Sequence, residues 1–194
     1  MYLVGIAGGS ASGKSTFTAA LLSALKARDA ALRIETRSTD QFWQDRNGPP
    51  RFISPSTGEE RFHFNHPDAL DQQALFAELD QLAETADVVL LEGLMVLYVP
   101  AVRERLDLRL FVELDADERA LRRMLRDMQG GRTFTDPQMI ATYYRESARV
   151  GHAQYVEPSR VHADLILRGD TDFTRTAAMV AAIVSDALMS GKAK

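Results

Sequence analysis

The sequence contains no cysteine among its 194 residues. Disulfide frameworks, thiolate metal sites and thiol nucleophiles are therefore excluded, and a reducing compartment is permitted. No apolar run approaches the length of a membrane span, and the apolar first residues lack the basic leader of a signal peptide. These absences predict a cytoplasmic protein that has no membrane as a partner.

An excess of basic residues is also absent, because the formal net charge is −4. A sequence-independent nucleic-acid binder would normally be basic, so we expect no nucleic acid as a partner. The acidic excess is concentrated in residues 68–92, which hold seven acidic side chains and no Lys or Arg. The remainder of the chain is net positive and suits a small anionic ligand. The sequence does not fix the oligomeric state and is compatible with a homo-oligomer.

Short apolar runs alternate along the chain with longer segments of helical periodicity. This alternation predicts an α/β fold, with a mostly five-stranded parallel sheet and helices on both faces, in one domain over residues 1–194. Residues 41–66 hold three prolines and several aromatics and predict a long functional loop with little regular structure. The predicted strands are 2–7, 32–38, 88–91, 108–114 and 163–167, and the predicted helices are 14–28, 67–84, 117–128, 136–150 and a C-terminal segment around 180–188.

The pattern G-x-x-x-x-G-K-[ST] follows the first predicted strand and opens the first predicted helix. Such a loop turns tightly, so that backbone N–H groups converge on phosphate oxygens at a helix N-terminus. Lys14 would bridge the β- and γ-phosphates, Ser15 would hold Mg²⁺, and Thr16 would reach an inner phosphate. The sequence therefore predicts a nucleoside triphosphate site formed by Gly8, Gly9, Ser10, Ala11, Ser12, Gly13, Lys14, Ser15 and Thr16.

The rest of the chain narrows the class of phosphate-loop protein. The N-K-x-D motif by which GTPases read guanine does not occur in the sequence. Mechanical ATPases are usually larger or modular. The length therefore favours a small-molecule kinase that uses ATP as phosphoryl donor.

Further motifs, in the same order along the chain, resemble the uridine kinase branch of the P-loop kinases, which also includes phosphoribulokinases and nicotinamide riboside kinases. The resemblance covers roughly residues 3–169. It implies a P-loop kinase fold with a helical lid, at about residues 117–135, that carries arginines. The matching segments are Asp40-Gln41-Phe42-Trp43, Phe64-Asn65-His66-Pro67-Asp68, Leu91-Glu92-Gly93-Leu94, Phe111-Val112-Glu113-Leu114-Asp115, Arg122-Arg123-Met124-Leu125-Arg126-Asp127, Val156-Glu157-Pro158-Ser159 and Ala163–Gly169.

This resemblance implies roles for individual side chains. Asp40 and Glu92 follow predicted strands, where the carboxyl ends of a parallel sheet face the ligand. Asp40 is expected to be the catalytic base, and Asp40, Ser15 and Glu92 to manage Mg²⁺. The other implied residues are Lys14, Arg123, Arg126 and Arg132 on the transferring phosphoryl group, Arg168 near the adenine, and Asp40, Trp43, Phe64, Asn65 and Glu92 on the acceptor.

Departures from the family pattern concern the acceptor. Asn65 replaces an aspartate, Trp43 replaces a tyrosine, and the lid has Gly130-Gly131-Arg132 where the family has R-G-R. The hairpin with which uridine kinases read the pyrimidine is missing before the Glu92 strand, whereas residues 44–63 supply extra arginines and aromatics. The resemblance as a whole implies phosphorylation of a primary hydroxyl of a nucleoside, uridine or cytidine, with residues 41–66 as the acceptor-binding loop. The alternatives are nicotinamide riboside or another small hydroxyl metabolite, and a nucleotide-binding regulatory or degenerate kinase.

Overall fold

The computed structural model describes residues 1–131 and 134–191. Its strands are β1 (Tyr2–Gly8), β2 (Ile34–Ser38), β3 (Arg51–Ile53), β4 (Glu60–Phe62), β5 (Val88–Glu92), β6 (Leu108–Glu113) and β7 (Leu165–Arg168). Its α-helices are α1 (Lys14–Arg28), α2 (Gln72–Ala83), α3 (Pro100–Arg103), α4 (Ala116–Arg126), α5 (Pro137–Tyr143), α6 (Arg149–Gly151), α7 (Glu157–Ser159) and α8 (Thr174–Met189).

Five strands form one parallel sheet in the order β2-β5-β1-β6-β7. The central strand β1 is buried along its whole length, as its run of apolar residues predicts. Because every strand points the same way, the carboxyl ends of β1, β2 and β5 meet at one edge, where ligands bind in such sheets. The predicted α/β class with a five-stranded parallel sheet is confirmed.

Helices cover both faces of this sheet. On one face, α1 and α8 pack together and bury Phe17, Leu21 and Val184 against the sheet. On the other face, α2 and the segment around α3 bury Leu75, Leu79 and other apolar side chains. The alternation of strand and helix along the chain thus gives two hydrophobic layers, one on each side of the sheet.

The prediction of a long loop with little regular structure over residues 41–66 misses one element. Strands β3 and β4 pair antiparallel within it and form what we call the 51–62 hairpin. Each strand is only three residues long and rich in charged and aromatic side chains, so neither shows the apolar alternation that marks a strand. The long segment is therefore a folded element and not a featureless loop.

The helix predicted over 136–150 begins as expected and extends further. Asp136 caps it, its side chain accepting a hydrogen bond from Met139 N at 2.9 Å, and Pro137 occupies the first turn. Helical backbone then continues from α5 to α7 through two π-helical segments, Tyr144–Ala148 and His152–Val156. We call residues 137–159 the post-lid helix. In the described ranges 1–131 and 134–191, no helix combines the length and apolar character needed to cross a bilayer.

Candidate active site

The phosphate loop joins β1 to α1, and at two positions its backbone conformation favours glycine. Gly8 and Gly13 have φ of 145° and 103°, and a side chain on Gly8 would collide with the carbonyl oxygen of Val112. Ala11 adopts the left-handed conformation at φ 64°. Backbone of this kind, with positive φ at Gly8, Ala11 and Gly13, is typical of loops whose N–H groups converge on phosphate at the start of a helix.

Lys14 and Ser15 begin α1, as the motif predicts. The Lys14 ammonium donates to the carbonyl oxygen of Gly9 at 3.0 Å, which folds the side chain back over the loop. The Ser15 hydroxyl donates to Glu92 Oε1 at 2.8 Å. The end of β5 is thereby joined to the phosphate loop, and hydroxyl and carboxylate oxygens stand together where the sequence predicts a Mg²⁺ site.

Asp40 lies in a short 3₁₀ turn directly after β2. A reciprocal capping pair between Ser38 and Gln41 forms this turn, and Asp40 N donates to the Ser38 hydroxyl at 3.3 Å. Gly93, which follows Glu92, packs so closely on Thr39 that a side chain there would overlap it. This contact holds the ends of β2 and β5 together, so Asp40 and Glu92 enter the same cavity.

Two basic side chains behind the phosphate loop are not predicted by the sequence. A side chain on Gly9 would approach Arg119 Nη1 to 2.7 Å and His152 Nδ1 to 3.0 Å. Burial, together with the charges of Arg119 and Lys14, lowers the pKa of His152 to about 4. His152 is therefore neutral at pH 7 and packs beneath the loop as an uncharged ring.

The predicted lid arginines face the cavity from the C-terminal half of α4. Asp127, whose side chain is only 4% exposed, accepts from Arg126 Nε at 2.8 Å and lies 3.4 Å from Arg123 Nε. Arg123 also lies over the ring of Tyr143, with 5.4 Å between its guanidinium carbon and the ring centroid. Asp127 thus holds both arginines, a role that its place in the motif alone does not reveal.

Arg122, the other arginine of this motif, is bound differently. It pairs with Glu118 at 2.7 Å and donates to the carbonyl oxygen of Gly169 at 2.9 Å. Arg122 therefore connects the lid helix to the turn after β7. Arg132, predicted to act beside Arg123 and Arg126, lies outside the described residues.

The end of the cavity away from the phosphate loop is aromatic. Trp43 and Phe64 meet edge to face at 5.3 Å between ring centroids. Asn65 is buried, and its side-chain nitrogen donates to Tyr143 Oη at 3.2 Å and to Ser147 Oγ at 3.0 Å. The amide that replaces the family's aspartate therefore connects the 41–66 segment to the post-lid helix through its N–H groups.

One continuous cavity of about 1010 Å³ includes most of the predicted site. Its walls come from the phosphate loop, the ends of β2 and β5, the 51–62 hairpin, α4 and the post-lid helix. The predicted residues that line it are Ser10, Ala11, Gly13, Lys14, Ser15, Thr16, Asp40, Trp43, Phe64, Asn65, Glu92, Arg123 and Arg126.

A second, smaller depression of about 310 Å³ lies between the phosphate loop and the turn after β7. Gly13, Thr16, Arg122 and Phe173 contribute to its wall. Arg168, predicted near the adenine, does not line either depression. Its side chain is 75% exposed and pairs with Asp170 at 2.8 Å, so its guanidinium is directed to solvent.

Comparison with known proteins identifies the family to which the chain belongs. The model of the phosphoribulokinase/uridine kinase family matches residues 3–88 and 63–173. The chain belongs to the phosphoribulokinase/uridine kinase family. Members of this family are ATP-dependent kinases, and the chain is accordingly an ATP-dependent small-molecule kinase, as the sequence predicts.

Relatives of this kinase match it over most of their length. A uridine kinase of Chloroflexus aggregans is 33% identical over 97% of this chain and 96% of its own. A uridine kinase of Lactobacillus helveticus is 30% identical over 85% of each chain. A solved structure described as a fructose transport system kinase of Silicibacter sp. TM1040 aligns with a TM-score of 0.62, covering 85% of this chain and 88% of that one. At 20% identity it shows the shared fold alone.

Proposed function

We propose that this kinase transfers the γ-phosphoryl group of ATP to a primary hydroxyl of a nucleoside, uridine or cytidine, in the cytoplasm. Relatives at 30–34% identity named uridine kinase support the acceptor class. The observation that carries the proposal is that one cavity holds the phosphate loop, Asp40 and the Asp127-bound arginines of the lid. A donor phosphate and an acceptor hydroxyl can therefore meet in one cavity.

In the proposed reaction, Asp40 accepts the proton of the attacking hydroxyl. A bond forms between the hydroxyl oxygen and the γ-phosphorus, the bond from that phosphorus to the β–γ bridging oxygen breaks, and ADP leaves. Lys14, Arg123 and Arg126 balance the charge on the equatorial phosphoryl oxygens. These cations come from two separate elements, α1 and the lid, so closure of the lid completes the charge environment.

Mg²⁺ fits the oxygen donors at the sheet edge. The Ser15 hydroxyl and the Glu92 carboxylate lie 2.8 Å apart, and Asp40 lines the same cavity. A hard cation with few protein ligands and several phosphate and water ligands suits this set. When bound, Mg²⁺ would neutralise phosphate charge and orient the triphosphate. We assign Ser15, Asp40 and Glu92 to its binding.

One observation favours a second acceptor, nicotinamide riboside or another small hydroxyl metabolite. Residues 84–87 connect α2 directly to β5, where uridine kinases insert a pyrimidine-reading hairpin. Recognition of the base must then come from other elements. A screen of ADP release across nucleosides, nicotinamide riboside, pantothenate and sugar phosphates separates the two acceptors. Uridine and cytidine as the best substrates would support the first, and nicotinamide riboside as the best would support the second.

The variant Asp40→Asn tests the proposed base. The amide retains the size of the side chain but cannot take up a proton, so kcat with uridine should fall about 10²–10⁴-fold. Binding of a non-hydrolysable ATP analogue should change less than threefold. The matched control is Asp29→Asn, in the exposed turn after α1. Near-normal turnover by Asp40→Asn would refute the assignment of the base.

A further inference from the structure

A largely buried guanidinium lies at the acceptor end of the cavity. Arg61, on β4 of the 51–62 hairpin, lines this cavity with a side chain that is only 15% exposed. Its guanidinium carbon lies 5.1 Å from the centroid of the Phe134 ring, and Phe134 in turn contacts Tyr143. Arg61 is therefore held between the hairpin and the segment that precedes the post-lid helix.

One carboxylate fixes the orientation of this side chain. Glu59 accepts from both Nε and Nη2 of Arg61, with 3.2 Å between Nε and the carboxylate oxygen. Within the part of the chain that the structure describes, Glu59 is the hydrogen-bonding partner of the Arg61 side chain. The Nη1 donors of Arg61 are therefore left for a ligand. A guanidinium has five N–H donors and no acceptor. Arg61 therefore presents only donors to the cavity.

Arg46 and Arg51, the two other arginines of residues 41–66, are placed differently. Arg51 is engaged with its own hairpin: it donates to the carbonyl oxygens of Arg46 and Glu60 and pairs with the Glu60 carboxylate at 3.0 Å. Arg46 is exposed and lies over the ring of Phe64 at 5.5 Å. Arg61 combines burial, a fixed orientation and unused donors, and the other two arginines do not.

The proposed reaction fixes how the acceptor lies. Its reacting hydroxyl must be near Asp40 and the phosphate loop, so the remainder of the molecule extends toward the aromatic end of the cavity and the 51–62 hairpin. A planar base there would lie among Trp43, Phe64 and Phe134. The edge of such a base would face the donors of Arg61.

We propose that Arg61 is a specificity-determining residue that donates to the C4 carbonyl oxygen of uridine, and so favours uridine over cytidine. This inference rests on the proposed nucleoside kinase function. The two nucleosides share ribose and the C2 carbonyl and differ along one edge of the ring: uridine has a carbonyl oxygen at C4 and an N–H at N3, whereas cytidine has an amino group at C4 and an unprotonated N3. An amino group facing a guanidinium places donor against donor, which leaves buried polar groups unpaired.

The test compares kcat/KM for uridine and cytidine in the full chain and in the variant Arg61→Gln. We expect the unmodified protein to favour uridine at least tenfold. Glutamine can donate or accept by rotating its amide, so the ratio should fall below threefold in the variant. Arg61→Lys keeps the positive charge and the donors and should retain a preference for uridine. Arg51→Gln, from the same hairpin, is the matched control and should keep the ratio of the unmodified protein.

Each outcome supports or overturns the inference. A purely structural role for Arg61 would lower kcat/KM for both nucleosides equally and leave their ratio unchanged, which would overturn it. Equal use of both nucleosides by the unmodified protein would also overturn it, without affecting the proposed function. If the unmodified protein phosphorylates neither nucleoside, the proposed function fails and the inference fails with it.

Discussion

Replacing Asp127 by asparagine should remove the carboxylate that positions the lid arginines Arg123 and Arg126. The variant keeps the shape of the side chain but loses its charge, and its amide nitrogen would face a guanidinium with donors on both sides. Asp127 is 4% exposed, and it lies 2.7 Å from Arg126 Nη2 and 3.4 Å from Arg123 Nε. Both arginines would be left near the cavity without this carboxylate.

The expected decrease in the free energy of unfolding of Asp127→Asn follows from the contacts that the carboxylate makes. A hydrogen bond to a charged group contributes about 1.5–3 kcal/mol. The Arg126 side chain is 35% exposed and partly screened, and the contact to Arg123 is long, so the two contributions together amount to about 2–3 kcal/mol. For a chain of this size that corresponds to a decrease in Tm of about 5–10 °C.

The effect on catalysis should be larger in relative terms. A displacement of about 1 Å in groups that contact the transferring phosphoryl can cost about 100-fold in rate, so we expect kcat to fall about 30–100-fold. Coupled ADP release gives kcat, and urea unfolding gives the free energy of unfolding. The matched control is Asp186→Asn on the exposed face of α8. If kcat of Asp127→Asn stays within twofold of the unmodified protein, the anchoring role is wrong.

Two further predictions follow from the site. Glu92→Gln should raise the Mg²⁺ concentration for half-maximal activity at least tenfold, measured by titrating Mg²⁺ at saturating ATP, because one anionic oxygen ligand is lost; an unchanged requirement would contradict the assignment. The pKa of His152 is lowered to about 4 in the folded protein, whereas it is 6.5 in the unfolded chain. As the pH falls, the unfolded chain therefore takes up a proton at His152 before the folded protein does. Between pH 6.5 and 4 the free energy of unfolding should therefore decrease about 3 kcal/mol more in the unmodified protein than in His152→Gln, measured by urea unfolding; parallel curves would contradict the burial effect.

Much of the nucleotide side of the site is predictable from local sequence. The spacing of Gly8, Gly13 and Lys14 prescribes a backbone conformation within a few residues, and a strand before it and a helix after it are read from periodicity. Asp40 follows one strand and Glu92 lies at the end of another, and the parallel arrangement then brings them to one edge. These inferences need only short-range patterns and one general rule of sheet geometry.

The acceptor side is different, because its contacts join distant parts of the chain. Strands of three residues in the 51–62 hairpin are too short to show periodicity, so the segment resembles an irregular loop. The placement of Arg61 over Phe134, and of Asn65 against Tyr143 and Ser147, depends on the packing of residues 51–65 on residues 134–159. A pattern within either segment alone cannot reveal these contacts.

The sequence by itself thus determined the family pattern, the parallel sheet and the phosphate loop, since each depends on interactions between residues close along the chain or on strand order. Only the tertiary structure decided which charged residues are buried. Arg119 lies in α4 and Asp127 directly follows it, in a stretch rich in charges that could equally be a solvated face, and packing places both in the interior. Burial is set by elements that meet from far apart in sequence, so the local pattern of charges cannot reveal it.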